Sequence, residues 1–271
     1  MSPRIDLSYR VRVGVLVASA AAAIAATLSV SAFDAPESYY RFADDRPFLG
    51  VPNFMDVASN VGFLIAGALG LAYLWGGDER ADPVRREVRW PVTVFFGGVL
   101  LTTFGSATFH LEPLLEDESL NSVGMLWDRL PITVAFMALL AAFIADRVHA
   151  GAGLVLLPLL VAAGVAATLY WYATFDGSEG DLRPYALVQA YSAVAIVLIC
   201  WLFPGRHTHG RYVLYMLAWY GVAKAFEAYD RAVFDLPGNV VSGHTVKHLL
   251  AAVAAYVVLA MLRRTETESE N

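Results

Sequence analysis

Eight long apolar runs divide this chain and leave little room for anything but membrane-spanning helices. They cover about Val13 to Ala32, Val57 to Trp75, Trp90 to Phe109, Val123 to Ala145, Gly151 to Tyr172, Tyr185 to Phe203, Tyr212 to Ala228 and Val240 to Leu262. Each approaches or exceeds the ~20 residues an α-helix needs to cross ~30 Å of hydrocarbon. In hydrocarbon every backbone N–H and C=O must be bonded inside the protein, which favours a helix for each run. Composition agrees: 58% of the residues are hydrophobic, 16% are charged and the mean hydropathy is +0.53, more apolar surface than a soluble core uses.

The expected fold is therefore all-α, a polytopic transmembrane bundle of seven helices over 57–262 with an extra N-terminal helix in 1–33. An acidic loop, 34–56, joins the two, and a polar tail, 263–271, follows, disordered from Thr265 to Asn271. The small residues Ser29, Val30, Ser31 and Ala32 would also suit a signal peptidase, but the first run exceeds the usual h-region of roughly 7 to 15 residues. A retained helix is the favoured reading. With one cysteine, Cys200, the chain has no intramolecular disulfide and no thiolate metal cluster. A formal charge of −6 and a pI near 5.5 give no basic patch, which excludes a nucleic-acid partner.

Loop charges alternate along the chain. The segments with Arg4, Arg10 and Arg12, with Arg80, Arg85, Arg86 and Arg89, with Arg147, with Arg206 and Arg211, and with Arg263 and Arg264 are basic. These are expected to be cytoplasmic, and the acidic loops between them external. That pattern places both termini inside. It also places His110, at the end of one run, and His244 and His248, at the start of another, toward the outer face, together with Asp128 and with Ser106 one turn from His110.

Ionisable groups inside a span are costly and point to function. Histidines at i and i+4 share one helix face, and with His110 they make three imidazoles, the donor set of a catalytic zinc site with a free fourth position. Asp128 would take a proton from an activated water. Ser106 would hydrogen-bond that water or an oxyanion, although Gly105, Ser106 and Ala107 equally suit close helix packing. His149, His207 and His209 read as solvated residues of basic turns. Arg129 reads as the partner of an outer carboxylate, Pro131 as a kink, and Lys247 as a residue facing the head groups. Lys224 and Glu227 are expected to pair along one face, with Asp230 beyond them. A retinal Schiff base on Lys224 is disfavoured, because it would leave the histidines unexplained. Asp44, Asp45, Asn53 and Asp56 fall in a turn-rich segment that either coordinates calcium or caps a helix through Asn53 or Asp56.

Gly105 through His110, Leu126 through Pro131 and His244 through His248 resemble the motifs of the alkaline ceramidases, a family within a wider superfamily of membrane hydrolases that includes the adiponectin-type receptors. Asn53 through Asn60 resembles that family's first-helix motif. The resemblance runs in order from about residue 44 to 262. It implies zinc on His110, His244 and His248, water activation by Asp128 beside Ser106, and cleavage of the N-acyl bond of a lipid entering from the bilayer. It also implies a calcium site at Asp44, Asp45, Asn53 and Asp56. The longer stretch from Leu111 to Leu126, Asn53 in place of an acidic residue and the additional first helix depart from the family. The alanine-rich composition suggests a bacterial chain of the inner membrane, whose substrate would be ceramide or another acylated aminolipid. The alternative is a receptor or transporter in which zinc is structural.

Overall fold

The computed structural model describes residues 7–36, 39–76, 83–177, 179–205, 208–236 and 238–269, with only the backbone of 83–87 and 265–269. Arg4, Arg80, Arg206 and His207, and the side chains of Arg85 and Arg86, lie outside what is described.

Every apolar run forms a helix, and the described residues contain no β-strand. The helices are α1 (Tyr9–Ser29), α2 (Phe54–Ser59), α3 (Val61–Trp75), α4 (Pro83–Leu111), α5 (Ser122–Phe143), α6 (Ala150–Thr174), α7 (Arg183–Leu202), α8 (Gly210–Ala228), α9 (Asp230–Phe234) and α10 (Gly243–Ser269). A π-helical turn, Ile144–Val148, extends α5. Among the described residues, seven helical segments are long and apolar enough to cross a membrane, α2 and α3 counting as one. The eighth run, α8, is helical, but Arg211, Lys224 and Glu227 interrupt its apolar character. It lies antiparallel to α10: Tyr212 and Met216 line a small cavity with Val257 and Met261, and Phe226 meets Gly243 at the opposite end.

α5 is the central helix, with 78% of its apolar window buried against α4, α6 and α7. Its small residues Ala135, Ala138, Ala141 and Ala142 allow neighbouring helices to come close. Outward positions such as Trp90, Leu101, Val155, Leu159, Trp201 and Leu214 are exposed, as on a lipid-facing surface. No residue of α1 is buried. It is fastened to α7 by Ser19 Oγ and Tyr191 Oη, 2.9 Å apart, and by Arg183, which donates to the Val30 carbonyl.

Two expectations are corrected here. The C-terminal residues continue α10 as helix to Ser269, where disorder is expected from Thr265. Arg147, counted among the loop cations, is buried and donates to the carbonyls of Phe203 and Thr208, while Asp146 lies 3.9 Å away. That turn is held by a buried charge pair.

Candidate metal centre

α4 delivers His110 in its last turn, and α10 delivers His244 and His248 in its first two turns. The start of α10 is fixed by its own sequence and by its neighbours. Ser242 Oγ accepts the Thr245 N–H at 2.9 Å, an N-cap bond, and Asp230 accepts the His244 N–H at 2.8 Å. Asp56 of α2 accepts from the hydroxyls of both Ser242 and Thr245.

The three imidazoles are 1% to 4% exposed, and their ligand atoms lie within 4.8 Å of one another. His110 Nε2 is 3.2 Å from His248 Nε2 and 3.3 Å from His244 Nε2. A tetrahedral zinc with Zn–N bonds of about 2.0–2.1 Å holds its nitrogens about 3.3–3.4 Å apart. The residues therefore fit a zinc ion without moving far. Hydrogen bonding alone does not account for the arrangement, because a neutral imidazole has one N–H and three converging Nε2 atoms cannot all be satisfied by one another.

Partner groups support the same orientation. The Ser59 hydroxyl donates to the Asp56 carbonyl at 3.0 Å, so its oxygen is left to accept the Nδ1–H of His248 at 2.8 Å. That bond leaves His248 Nε2 as a lone pair facing the cluster, the way outer partners fix a metal-binding tautomer. At His244 the Lys247 ammonium donates to Nε2 at 3.0 Å, so this nitrogen also presents a lone pair, and a cation already stands before it. Phe42, from the loop after α1, covers the cluster with its ring 4.5 Å from that of His110 and 4.7 Å from that of His244.

Ser106 and Asp128 adjoin the histidines. Ser106 Oγ is 3.5 Å from His248 Nε2, and its hydroxyl is within hydrogen-bonding reach of the Asp128 carboxylate. The contact depends on Gly105: a Cβ there would lie 2.1 Å from the Trp127 carbonyl oxygen, so glycine is what lets α4 and α5 meet at this level. The structure thus brings together all five residues placed at one depth by the sequence.

The residues read as a possible calcium site are engaged elsewhere. Both Asp44 oxygens take the Arg46 guanidinium, at 2.6 and 2.7 Å, and Asp45 is exposed. Asn53 occupies the N-cap position of α2 but donates to the His110 carbonyl at 2.8 Å, and Asp56 serves the N-terminus of α10. Lys224 and Glu227 pair as expected. Lys247 does not face the head groups: it turns inward to Glu227, 3.1 Å away, because that carboxylate and the His244 lone pair are the nearest acceptors. Arg129 does not find an outer carboxylate and stacks on Trp171. His149 is exposed, as expected of a solvated turn residue, and its Nδ1 also caps α6 by accepting the Ala152 N–H.

The sequence reading missed Ser59, Phe42 and the capping role of Asp230. Ser59 was within reach, since it lies in the segment that resembles the family's first-helix motif. Phe42 and Asp230 carry no local signal, because their roles depend on a loop folding back over three helices. No known protein-family model matches the chain, and no characterised protein matches it.

Proposed function

We propose that the protein is a zinc-dependent membrane amidohydrolase that cleaves the N-acyl bond of ceramide or a similar acylated aminolipid, releasing a fatty acid and an amine. The observation that carries this reading is the convergence of three buried imidazoles, with His110 Nε2 at zinc-like separations from both of the others and the Ser106–Asp128 pair beside them. The likeness of the three motifs to those of the alkaline ceramidases supports the substrate class. Loop charges support both termini cytoplasmic and the site toward the outer face, and the alanine-rich composition supports a bacterial inner membrane.

A bound zinc ion supplies Lewis acidity, polarising a carbonyl and lowering the pKa of a water. His110, His244 and His248 hold it. Asp128 removes a proton from the attacking water and returns it to the departing nitrogen as the C–N bond breaks. Ser106 fixes the carboxylate for that transfer. Phe42 keeps bulk water from the histidine face. Phe104 and Trp127, 58% and 57% exposed, flank Ser106 and Asp128 on the α4–α5 surface, so a two-tailed lipid reaches them from the bilayer.

Metal analysis of the purified protein and release of fatty acid from acyl-amide lipids test the reading together. The wild type is expected to carry zinc and to cleave; His248→Ala loses the metal, and Asp128→Ala keeps it but loses cleavage. Zinc retained in His248→Ala sinks the ligand assignment, and zinc without cleavage of any acyl lipid marks a structural ion.

A further inference from the structure

Arg129 is a buried charge that the reaction proposed above leaves unused. The residue is 3% exposed, and its guanidinium carbon lies 4.0 Å from the centre of the Trp171 ring and 5.1 Å from that of Tyr185. The Tyr40 phenol lies nearby and donates to Asp34 at 3.3 Å, and Nη1 is buried with no partner. Among the described residues no carboxylate comes within ion-pair distance of it. Other arginines of this chain do find acids: Arg46 has Asp44 and Arg183 has Asp181. A guanidinium cannot discharge itself by losing a proton, so its burial without an acid is costly. Stacked on two rings, it keeps its planar fork fixed and a donor unspent.

A second group of cations lies at the histidines. Lys224 and Lys247 share the single carboxylate of Glu227, and Lys247 reaches His244 as well. These charges and Arg129 act on one set of buried groups. Lys247, Arg129 and Glu227 are the charged neighbours of Asp128, and the Tyr185 hydroxyl lies in the field of Arg129, Asp128 and Glu227. The cations face Asp128, Glu227, Asp56 and Asp230, and a divalent ion held by neutral imidazoles would tip that balance to positive.

We propose that the site selects acylated amines whose head carries an oxyanion, a carboxylate or a phosphate, received by the guanidinium of Arg129 with Lys247 adding positive charge on the histidine side. The proposal rests on the hydrolase reading only in placing the amide beside Asp128. An oxyanion would satisfy Nη1 through the fork geometry that arginine offers to carboxylate and phosphate, and it would offset the charge of that ion.

The test is equilibrium binding to the zinc-loaded full chain in an uncharged detergent, with three ligands that share one acyl chain and a two-carbon amine. These are N-palmitoylglycine, N-palmitoyl-O-phosphoethanolamine and the neutral N-palmitoylethanolamine. At least one anionic ligand is expected to bind tighter than the neutral one by on the order of tenfold to a hundredfold, and the tighter of the two identifies the oxyanion. Arg129→Gln is expected to bring the ratio close to one, and Lys247→Gln to lower it in part. Zinc content reports whether each variant is assembled. Should Arg129→Gln lose zinc, Arg129→Lys keeps the charge without the fork and is expected to shrink the ratio. Equal binding of all three ligands by the wild type overturns the proposal, as does an undiminished preference in a zinc-loaded Arg129 variant. Because binding is read without turnover, an Arg129-dependent preference with no cleavage sinks the hydrolase reading alone, and cleavage without anion preference sinks this one alone.

Discussion

The carboxylate of Asp230 accepts the backbone N–H of His244 at 2.8 Å through one oxygen and that of Ala43 at 2.9 Å through the other. One side chain at the start of α9 thus fastens both the first turn of the metal-bearing helix and the loop that carries Phe42 over it. Asp230→Ala leaves two backbone donors without that acceptor, a loss of about 1–3 kcal/mol. The expected outcome is a lower melting temperature in detergent and a weaker hold on zinc, measured by thermal unfolding and by competition with a chelator. An unchanged zinc affinity would show that the first turn of α10 holds without the clamp.

Ser59 positions His248 through Nδ1, away from the nitrogen that faces the cluster. Its oxygen, 2.8 Å from Nδ1, fixes which imidazole nitrogen carries the proton. Ser59→Ala removes that acceptor, and loss of such an outer partner lowers metal affinity by about 10- to 100-fold. Zinc titration against a chromophoric chelator reads the change. Since the substitution leaves all three imidazoles in place, the protein should still fill with zinc at high metal concentration, whereas His248→Ala should not.

Gly105 sets the distance between α4 and α5. A Cβ at this position would stand 2.1 Å from the Trp127 carbonyl oxygen and 2.8 Å from its carbon, and backbone cannot turn aside as a side chain can. Gly105→Ala is expected to push the helices apart, at a cost of about 1–3 kcal/mol for overpacking, and to separate Ser106 from Asp128. Fatty-acid release should fall while bound zinc persists, because His110 lies beyond the contact. Gly97, with open space around its Cβ position, provides the comparison: Gly97→Ala should leave both readouts unaffected.

The fold was legible because hydrocarbon enforces it: runs such as Val123 to Ala145 and Gly151 to Tyr172 have to be helices wherever their neighbours lie. The histidines were legible for a related reason, since the i, i+4 spacing of His244 and His248 and the loop charges fix a face and a depth. What sequence does not encode locally is direction between elements. Lys247 was expected to face the head groups because it is charged and near a helix end, but Glu227, some twenty residues earlier in the chain, decides where it points. Arg129 was given a carboxylate partner on charge alone, and the fold gives it Trp171 and Tyr185. In both cases a long side chain is steered by groups that come near only after the helices pack. Asp44 and Asp56 illustrate the same limit: adjacent in one acidic segment, they serve Arg46 and the α10 N-terminus respectively.

Asp181 and Arg183 predict how the attachment of α1 responds to acid. Arg183 binds the Asp181 carboxylate at 2.9 and 2.7 Å and donates to the Val30 carbonyl at the end of α1. The Arg183 guanidinium holds the Asp181 carboxyl below the usual carboxylate range. A carboxylate with a depressed folded-state pKa stabilises the fold above its unfolded pKa of about 3.9, and the contribution disappears as pH falls through the lower folded value. Stability should therefore decline on acidification below about pH 4 more steeply in the wild type than in Asp181→Asn, which lacks the titrating group. At neutral pH Asp181→Asn should be the less stable of the two, and α1 should be the part that loosens. Limited proteolysis in the loop after Ser29, followed across pH 3 to 7, reads that directly. Equal cleavage of the two proteins at every pH would show that the Asp181–Arg183 pair does not hold α1 in place.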